Sequence, residues 1–213
     1  MDPLVATEAG ARRRQRRQET IEEILRHAVV IMETDGVAAL SLSEVARRMG
    51  MKQPSLYKYF PSKLAVYDEL FRRGSEALLT IFRDAVREEE PGMAALSAGF
   101  EAVGRFQMEN KVLAALLLWR PVPRFEPSPE AFAPNVQFVA EMRGTMAQAV
   151  ELGQLHPDAL TERAGLLLSI LGAGLLTQQL ANEPNASYED GRFTSLNDDV
   201  LSMFVHTFHP NKE

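Results

Sequence analysis

Residues 42–63 read LSEVARRMGMKQPSLYKYFPSK, and the architecture follows from where this run must start and stop its helices. Ser41-Leu42-Ser43-Glu44 is a Ser-x-x-Glu capping box. In such a box the serine and glutamate side chains take up backbone N–H groups left over at a helix start. A very short helix carrying Val45, Ala46 and Met49 follows and stops at Gly50, because glycine accepts the left-handed backbone that closes helices. Met51 and Lys52 make a tight turn. Pro54 then falls in the first turn of a helix over 53–59, where a missing N–H is tolerated. Phe60-Pro61 ends that helix, and Ser62 caps a long one running to about residue 86. Two short helices joined through a glycine turn form a helix-turn-helix.

The helix over 53–59 can be laid on a wheel. Leu56 and Phe60 are four apart and share an inward face, Pro54 and Lys58 point the opposite way, and Ser55 and Tyr57 flank them. Gln53 projects from the N-terminal end. The outward side therefore offers an amide, a hydroxyl, a phenol and an ammonium, the groups that read base edges and grip phosphates in a major groove. Glutamine matches adenine bidentately, and Pro54 or the Tyr57 ring suits a thymine methyl. Lys63 lies in the first turn of the next helix, where the macrodipole disfavours a cation. A lysine and a helix N-terminus aimed at one spot make sense if a phosphate sits there.

Upstream, Ile21, Ile24, Leu25, Ala28, Ile31 and Met32 recur at helical spacing and form one apolar face ending at Gly36. Thr20-Ile21-Glu22-Glu23 is a second capping box, so this first helix begins there or a turn earlier. Residues 1–18 are expected to be a disordered basic arm carrying Arg12, Arg13, Arg14, Arg16 and Arg17. The formal net charge is −6, unevenly spread: up to Arg73 there are 13 Lys and Arg against 10 Asp and Glu, and beyond it 10 against 19. A positive end on an acidic body points to one anionic partner engaged at one place.

The run from Leu42 to Lys63, within Thr20–Phe71, resembles the DNA-binding domain of the TetR family of bacterial transcriptional regulators. The resemblance covers about a quarter of the chain. It implies that Ser43, Tyr59 and Lys63 touch phosphates and that Lys52, Gln53, Pro54, Ser55 and Tyr57 face the groove, beside Lys58. The arm, with Arg13 and Arg14, enters the neighbouring minor groove or follows the backbone. The resemblance also implies a C-terminal helical domain that binds a small molecule and dimerises. The expected division is a helix-turn-helix DNA-binding domain over 19–66 and a ligand-binding and dimerisation domain over 67–213.

Beyond residue 90 the periodicity stays helical, over 93–107, 111–119, 135–152, 159–182 and 196–208. Five prolines between 121 and 134 read as a loop with at most one helical turn. No period-2 pattern occurs, so the class is all-α with about nine to ten helices. The helix over 159–182 is apolar nearly all round, and Val200, Leu201, Phe204, Val205 and Phe208 form a stripe on the last helix. By resemblance these two helices make an intersubunit four-helix bundle through Leu167, Leu171, Gly174, Leu175, Leu201, Phe204 and Phe208; periodicity alone serves an intrachain core equally well. Pocket candidates are Phe100, Phe106, Met108, Leu116, Trp119, Phe125, Phe132, Phe138, Met142 and Met146, since aromatic and Met side chains line adaptable apolar pockets and also fill cores. Arg105, Arg120 and Arg124 offer themselves to an acidic ligand or to solvent.

There is no cysteine, which removes disulfide scaffolds, Cys-ligated metal and thiol nucleophiles. No phosphate-binding glycine loop, G-x-S-x-G or H-E-x-x-H occurs. The histidines are 27, 156, 206 and 209; His206 and His209 are three apart near the C-terminus but have no carboxylate fixed beside them by spacing, so no metal, cofactor or catalytic set is expected. The longest nearly apolar run, Ala164 to Leu176, is short of the ~20 residues of a membrane span. The expectation is a cytoplasmic homodimer that binds a palindromic double-stranded DNA operator and is released by a small apolar effector, most simply a repressor. The alternative is an all-α enzyme acting on an apolar substrate in the C-terminal cavity.

Overall fold

The computed structural model describes residues 3–211, with side chains from residue 10 onward. All regular structure in the described residues is helical. Two compact units emerge. One holds the chain up to Leu70 together with Arg120–Glu126, and the other holds Phe71–Trp119 and Pro127 onward. The first unit runs to Leu70, beyond the 66 expected for the helix-turn-helix domain, and takes in a short piece of the proline-rich segment.

In the first unit α1 spans Pro3–Asp35, α2 Leu42–Arg48 and α3 Gln53–Leu56, and α4, Lys63–Arg87, begins there. The arm expected to be disordered over 1–18 is helical in its described part, as the start of α1. Its residues are mostly strong helix formers. Gln15 donates to Glu19 at 3.0 Å and Gln18 to Glu22 at 2.6 Å, one turn on. Thr20 does not cap: its hydroxyl bonds back to the Arg16 carbonyl at 2.8 Å. Ile24, Leu25, Ala28, Ile31 and Met32 are buried, as are Val45, Ala46, Leu56, Phe60 and Val66. Tyr67 is fully buried, donates to the Val37 carbonyl at 2.7 Å and lies 5.7 Å from the Phe125 ring.

Gly50 takes φ 64°. Its N–H bonds to the Arg47 carbonyl at 3.1 Å and the Met51 N–H to the Ala46 carbonyl at 2.9 Å. That is a Schellman closure of α2, which a β-carbon would strain. It turns the chain sharply enough for Leu56 to return to the core.

The second unit contains the rest of α4, then α5 (Met93–Glu109), α6 (Lys111–Leu118), α7 (Pro129–Glu151), α8 (Glu162–Asn182) and α9 (Asn197–Thr207). Helix α7 starts six residues earlier than the expected 135. Ser128 accepts from the Ala131 N–H at 3.2 Å, Pro129 occupies the first helical turn and Pro134 lies inside. Capping and a proline at N1 favour the start, and Pro134 removes one ladder bond without ending the helix. Phe82, Leu96, Met142, Met146, Leu168, Leu201, Phe204 and Phe208 form the core. The segment after α8 is held by the wholly buried Gln179: its Oε1 accepts from the Phe193 and Thr194 N–H groups at 3.0 and 3.2 Å, and its Nε2 donates to the Glu183 carbonyl at 3.1 Å.

The apolar stretch of α8 outruns the thirteen-residue segment seen in sequence. The whole helix is long and apolar enough to cross a membrane, and 22% of its most apolar window is buried within the chain. Its apolar faces divide between the core, a cavity and an exposed side bearing Leu166 and Ile170.

Candidate nucleic-acid interface and ligand cavity

Helix α3 is one α-turn long, shorter than the expected 53–59. It is followed by tighter turns in which Lys58 and Tyr59 N–H groups bond to the Ser55 and Leu56 carbonyls at 3.3 and 2.9 Å. Leu56 and Phe60 face inward. Lys52, Gln53, Pro54, Tyr57 and Lys58 are exposed, and Ser55 and Tyr59 are half-buried. Gln53 Nε2 donates to Tyr57 Oη at 3.1 Å. This uses one amide N–H and leaves the other N–H and the carbonyl oxygen free, the pair that adenine recognition needs.

Ser62 accepts from the Ala65 N–H at 3.1 Å, so α4 is capped as the sequence predicts. Lys63, its first residue, is exposed and makes no ion pair or hydrogen bond within the described residues. Ser43 is exposed, with its hydroxyl 2.8 Å from that of Ser41, which also caps α2 by accepting from the Glu44 N–H at 3.4 Å. Glu44 does not close the capping box. Its carboxylate instead accepts from Arg47 Nε at 2.7 Å and Arg48 Nε at 2.8 Å. These two guanidiniums hold its carboxyl down at about 2.

Arg13 and Arg14 are exposed on α1. Arg17 is engaged: its guanidinium stacks 5.1 Å from the Tyr59 ring centroid and donates to the Lys58 carbonyl at 3.2 Å. It braces the turn behind the outward face of α3, a role the sequence did not disclose. A helix is about 10–12 Å across with its side chains and the minor groove about 6 Å wide. A helix of that width does not enter the groove, although its arginine side chains can reach into it or along the phosphates.

The second unit holds an apolar pocket of about 180 Å³ that opens to solvent past the exposed Val139 and Ser169. Its lining includes Leu78 and Phe82 of α4, Gly99, Phe100, Val103, Gly104 and Gln107 of α5, Phe138 and Met142 of α7, Leu168, Gly172 and Leu176 of α8, and Tyr188 and Asn197. Two glycines make room for its rings. A β-carbon on Gly172 would lie 2.7 Å from Phe100 Cε1, and one on Gly104 would overlap the Tyr188 ring. Gln107 is 3% exposed, yet its amide has no hydrogen-bond partner among the described residues. Burial pushes the Tyr188 phenol up to about 12, with the Glu101 charge adding to the shift.

Of the pocket candidates, Phe100, Phe138 and Met142 line this cavity. Phe106 and Leu116 do not, because the lining faces of α5 and α6 run through 99, 100, 103, 104, 107 and through 117, 118. Trp119 is turned away and donates to Thr177 Oγ1 at 3.2 Å. Phe125 packs on Tyr67 in the first unit. Phe132 stacks 6.1 Å from Phe71. Met146 lies in the core, and Met108 packs beside Leu176 and Tyr188. Arg105 is not free for an acidic ligand: it pairs with Glu101 and Glu189 and lies 5.3 Å from the Tyr188 ring centroid. Sequence reasoning missed Gln107, whose signal was a glutamine falling on an otherwise apolar stripe of α5.

The interface candidates divide as well. Leu201, Phe204 and Phe208 are buried in the intrachain core, and Leu175 lines the cavity. Leu167 and Leu171 are half-buried along a groove between α8 and α9. Gly174 is exposed, with open space where a β-carbon would stand. The outward apolar residues are Leu166, Ile170 and Met203, between 58 and 65% exposed.

Residues 24–70 match the family of bacterial regulatory proteins of the tetR type. The nucleoid occlusion factor SlmA of Vibrio campbellii is 24% identical over 109 residues, covering 51% of this chain and 54% of that protein. The chain thus spans about half the length of the curated relatives it matches. Among solved structures, the ketosteroid transcriptional regulator KstR2 of Mycobacterium tuberculosis superposes with a TM-score of 0.64 at 20% identity, over 91% of this chain and 96% of that one. The transcriptional regulator FadR of Bacillus subtilis, in complex with stearoyl-CoA, gives 0.68 at 16% identity over 88% and 99%. The helix-turn-helix of residues 24–70 is that of the tetR family of bacterial regulatory proteins, and the chain built on it has the fold of TetR-family transcriptional regulators.

Proposed function

We propose that the protein is a ligand-responsive, sequence-specific DNA-binding transcriptional regulator that acts in the cytoplasm as a homodimer, most simply as a repressor. The observation that carries this reading is the outward side of α3, where the hydrogen-bonded Gln53 and Tyr57 stand beside Lys52 and Lys58 with Lys63 at the head of the next helix. Recognition by α3 in the major groove fixes sequence, while Ser43, Tyr59, Lys63 and the Arg13–Arg14 part of α1 hold phosphates. The second copy is seated on the exposed Leu166, Ile170 and Met203, which supply the cover that α8 lacks within its own chain.

The effector occupies the cavity of the second unit. At about 180 Å³ it is close to the ~150 Å³ that holds a benzene, and far from the stearoyl-CoA of the Bacillus regulator. Leu78 and Phe82 place α4 on its wall, and α4 begins at Lys63 in the DNA-facing unit. An effector that prefers one position of α4 shifts DNA affinity; a coupling of ~1–3 kcal/mol changes it ~5–150-fold. The chain acts by binding and not by turnover.

The test is selection from sheared genomic DNA at near-physiological salt, with sequencing of the retained fragments. Enrichment of an inverted repeat, its half-sites ~34–36 Å or a multiple apart, is the expected result. Uniform retention that vanishes with salt would leave only electrostatic binding and overturn the readout role of α3.

A further inference from the structure

The cavity lining contains no Asp, Glu, Lys, Arg or His. Its polar side chains are amides and hydroxyls, namely Gln107, Asn135, Ser169, Tyr188 and Asn197. Gln107 and Gln179 are both deeply buried glutamines, and they differ sharply. Gln179 spends its amide on three backbone groups, whereas Gln107 makes no hydrogen bond with any described residue. Asn197, 7% exposed, has no side-chain partner either, and the Tyr188 hydroxyl has none. None of these three is among the fully buried unpaired atoms, so their polar ends are open to the pocket that they line and are available to what enters it. Gln107 and Gly104 are one helical turn apart on α5, and Gly104 is the residue against which the Tyr188 ring rests. The amide and the phenol therefore share one end of the wall.

The charge surrounding this end also selects. The guanidinium that lies over the Tyr188 ring, that of Arg105, is already paired with Glu101 and Glu189. A carboxylate or phosphate ligand would arrive without a cation to meet it and with two carboxylates behind the ring. A cationic ligand would be desolvated with no anion on the wall.

We infer that the cavity takes an uncharged, largely apolar molecule of about one ring that presents a hydroxyl or carbonyl to Gln107 and Tyr188, and that it excludes acids and acyl thioesters. This rests on the reading of the cavity as the effector site. Gln107 offers both a donor and an acceptor, and Tyr188 stays protonated throughout the physiological range. A phenol, alcohol or ketone satisfies either group without carrying charge into the apolar wall.

The test uses the full chain at pH 7 and three molecules of one shape, 4-ethylphenol, 4-ethyltoluene and 4-ethylbenzoate, with binding followed by titration calorimetry. The phenol is expected to bind ~5–10-fold more tightly than the toluene, with the benzoate weakest. Gln107→Leu is expected to bring the phenol to the toluene's affinity while leaving the toluene's unchanged or improved. Tyr188→Phe removes a single oxygen and is expected to narrow the same ratio; it decides the matter if the leucine variant does not fold. Tightest binding by the benzoate, or equal affinities for phenol and toluene, overturns the polarity assigned here and leaves the effector site standing. So does a phenol-to-toluene ratio that neither substitution moves. Binding by none of the three overturns both.

Discussion

Gln53 and Lys63 are both exposed polar residues near the start of a helix, and the proposed DNA interface gives them different work. Gln53 is fixed by Tyr57 with half its amide presented outward, the geometry of a base-reading group. Lys63 stands at a capped helix end with a free ammonium, the geometry of a phosphate-gripping one. Against a selected operator and a scrambled duplex, Gln53→Ala is expected to cost ~1–3 kcal/mol on the operator and almost nothing on the scramble. Lys63→Ala is expected to weaken both and to lower the log–log salt slope by about 0.9. Fluorescence anisotropy across a salt series separates the two patterns, and equal losses on both duplexes for Gln53→Ala would remove it from readout. These residues were legible in the sequence because their placement is local, set by caps and spacing within twenty residues. Gln107 was not, because its lack of a partner is a property of what four other helices place around it.

At the scale of the element, α2 shows how a helix start can be read correctly while its chemistry is misassigned. Ser41 caps as its position predicts, but Glu44 turns to Arg47 and Arg48 and not to the backbone. Because its folded pKa is depressed to about 2 from 4.5, its contribution is fully present above about 4.5 and disappears as the pH falls toward 2. The difference in thermal midpoint between the protein and Glu44→Gln is therefore expected to be largest at neutral pH and to close by about pH 2. A difference that stays constant across that range would mean that the ion pairs add nothing at this exposed site. Helix starts at α2 and α4 were legible from their serines. Those of α1 and α7 were not: continuous helix-forming residues carried α1 upstream of its apparent box, and a helix tolerated Pro134 where proline count argued for a loop.

For the whole molecule, the sequence left one question open that only packing answers: which apolar faces of α8 and α9 serve the chain itself. Phe204 is 1% exposed and Ile170 is 65% exposed. Ile170→Glu is accordingly expected to give a folded monomer by sedimentation at micromolar concentration, with its unfolding midpoint little changed once dissociation is allowed for. Phe204→Ala is expected to cost ~3–5 kcal/mol of stability. A dimer that survives Ile170→Glu would place the interface elsewhere. Periodicity marked both residues as apolar and could not rank them, because a helix apolar on every side carries no direction. The glycines under the cavity rings have a consequence of another kind. The room for Phe100 and Tyr188 is kept by two absent carbon atoms, at Gly172 and Gly104, and each can be restored by a single-base codon change to alanine. A duplicated copy of this chain is thus one nucleotide from a differently shaped cavity, with the proposed DNA-facing residues untouched, and on the proposed function that is a short mutational path by which new signals become attached to an old operator.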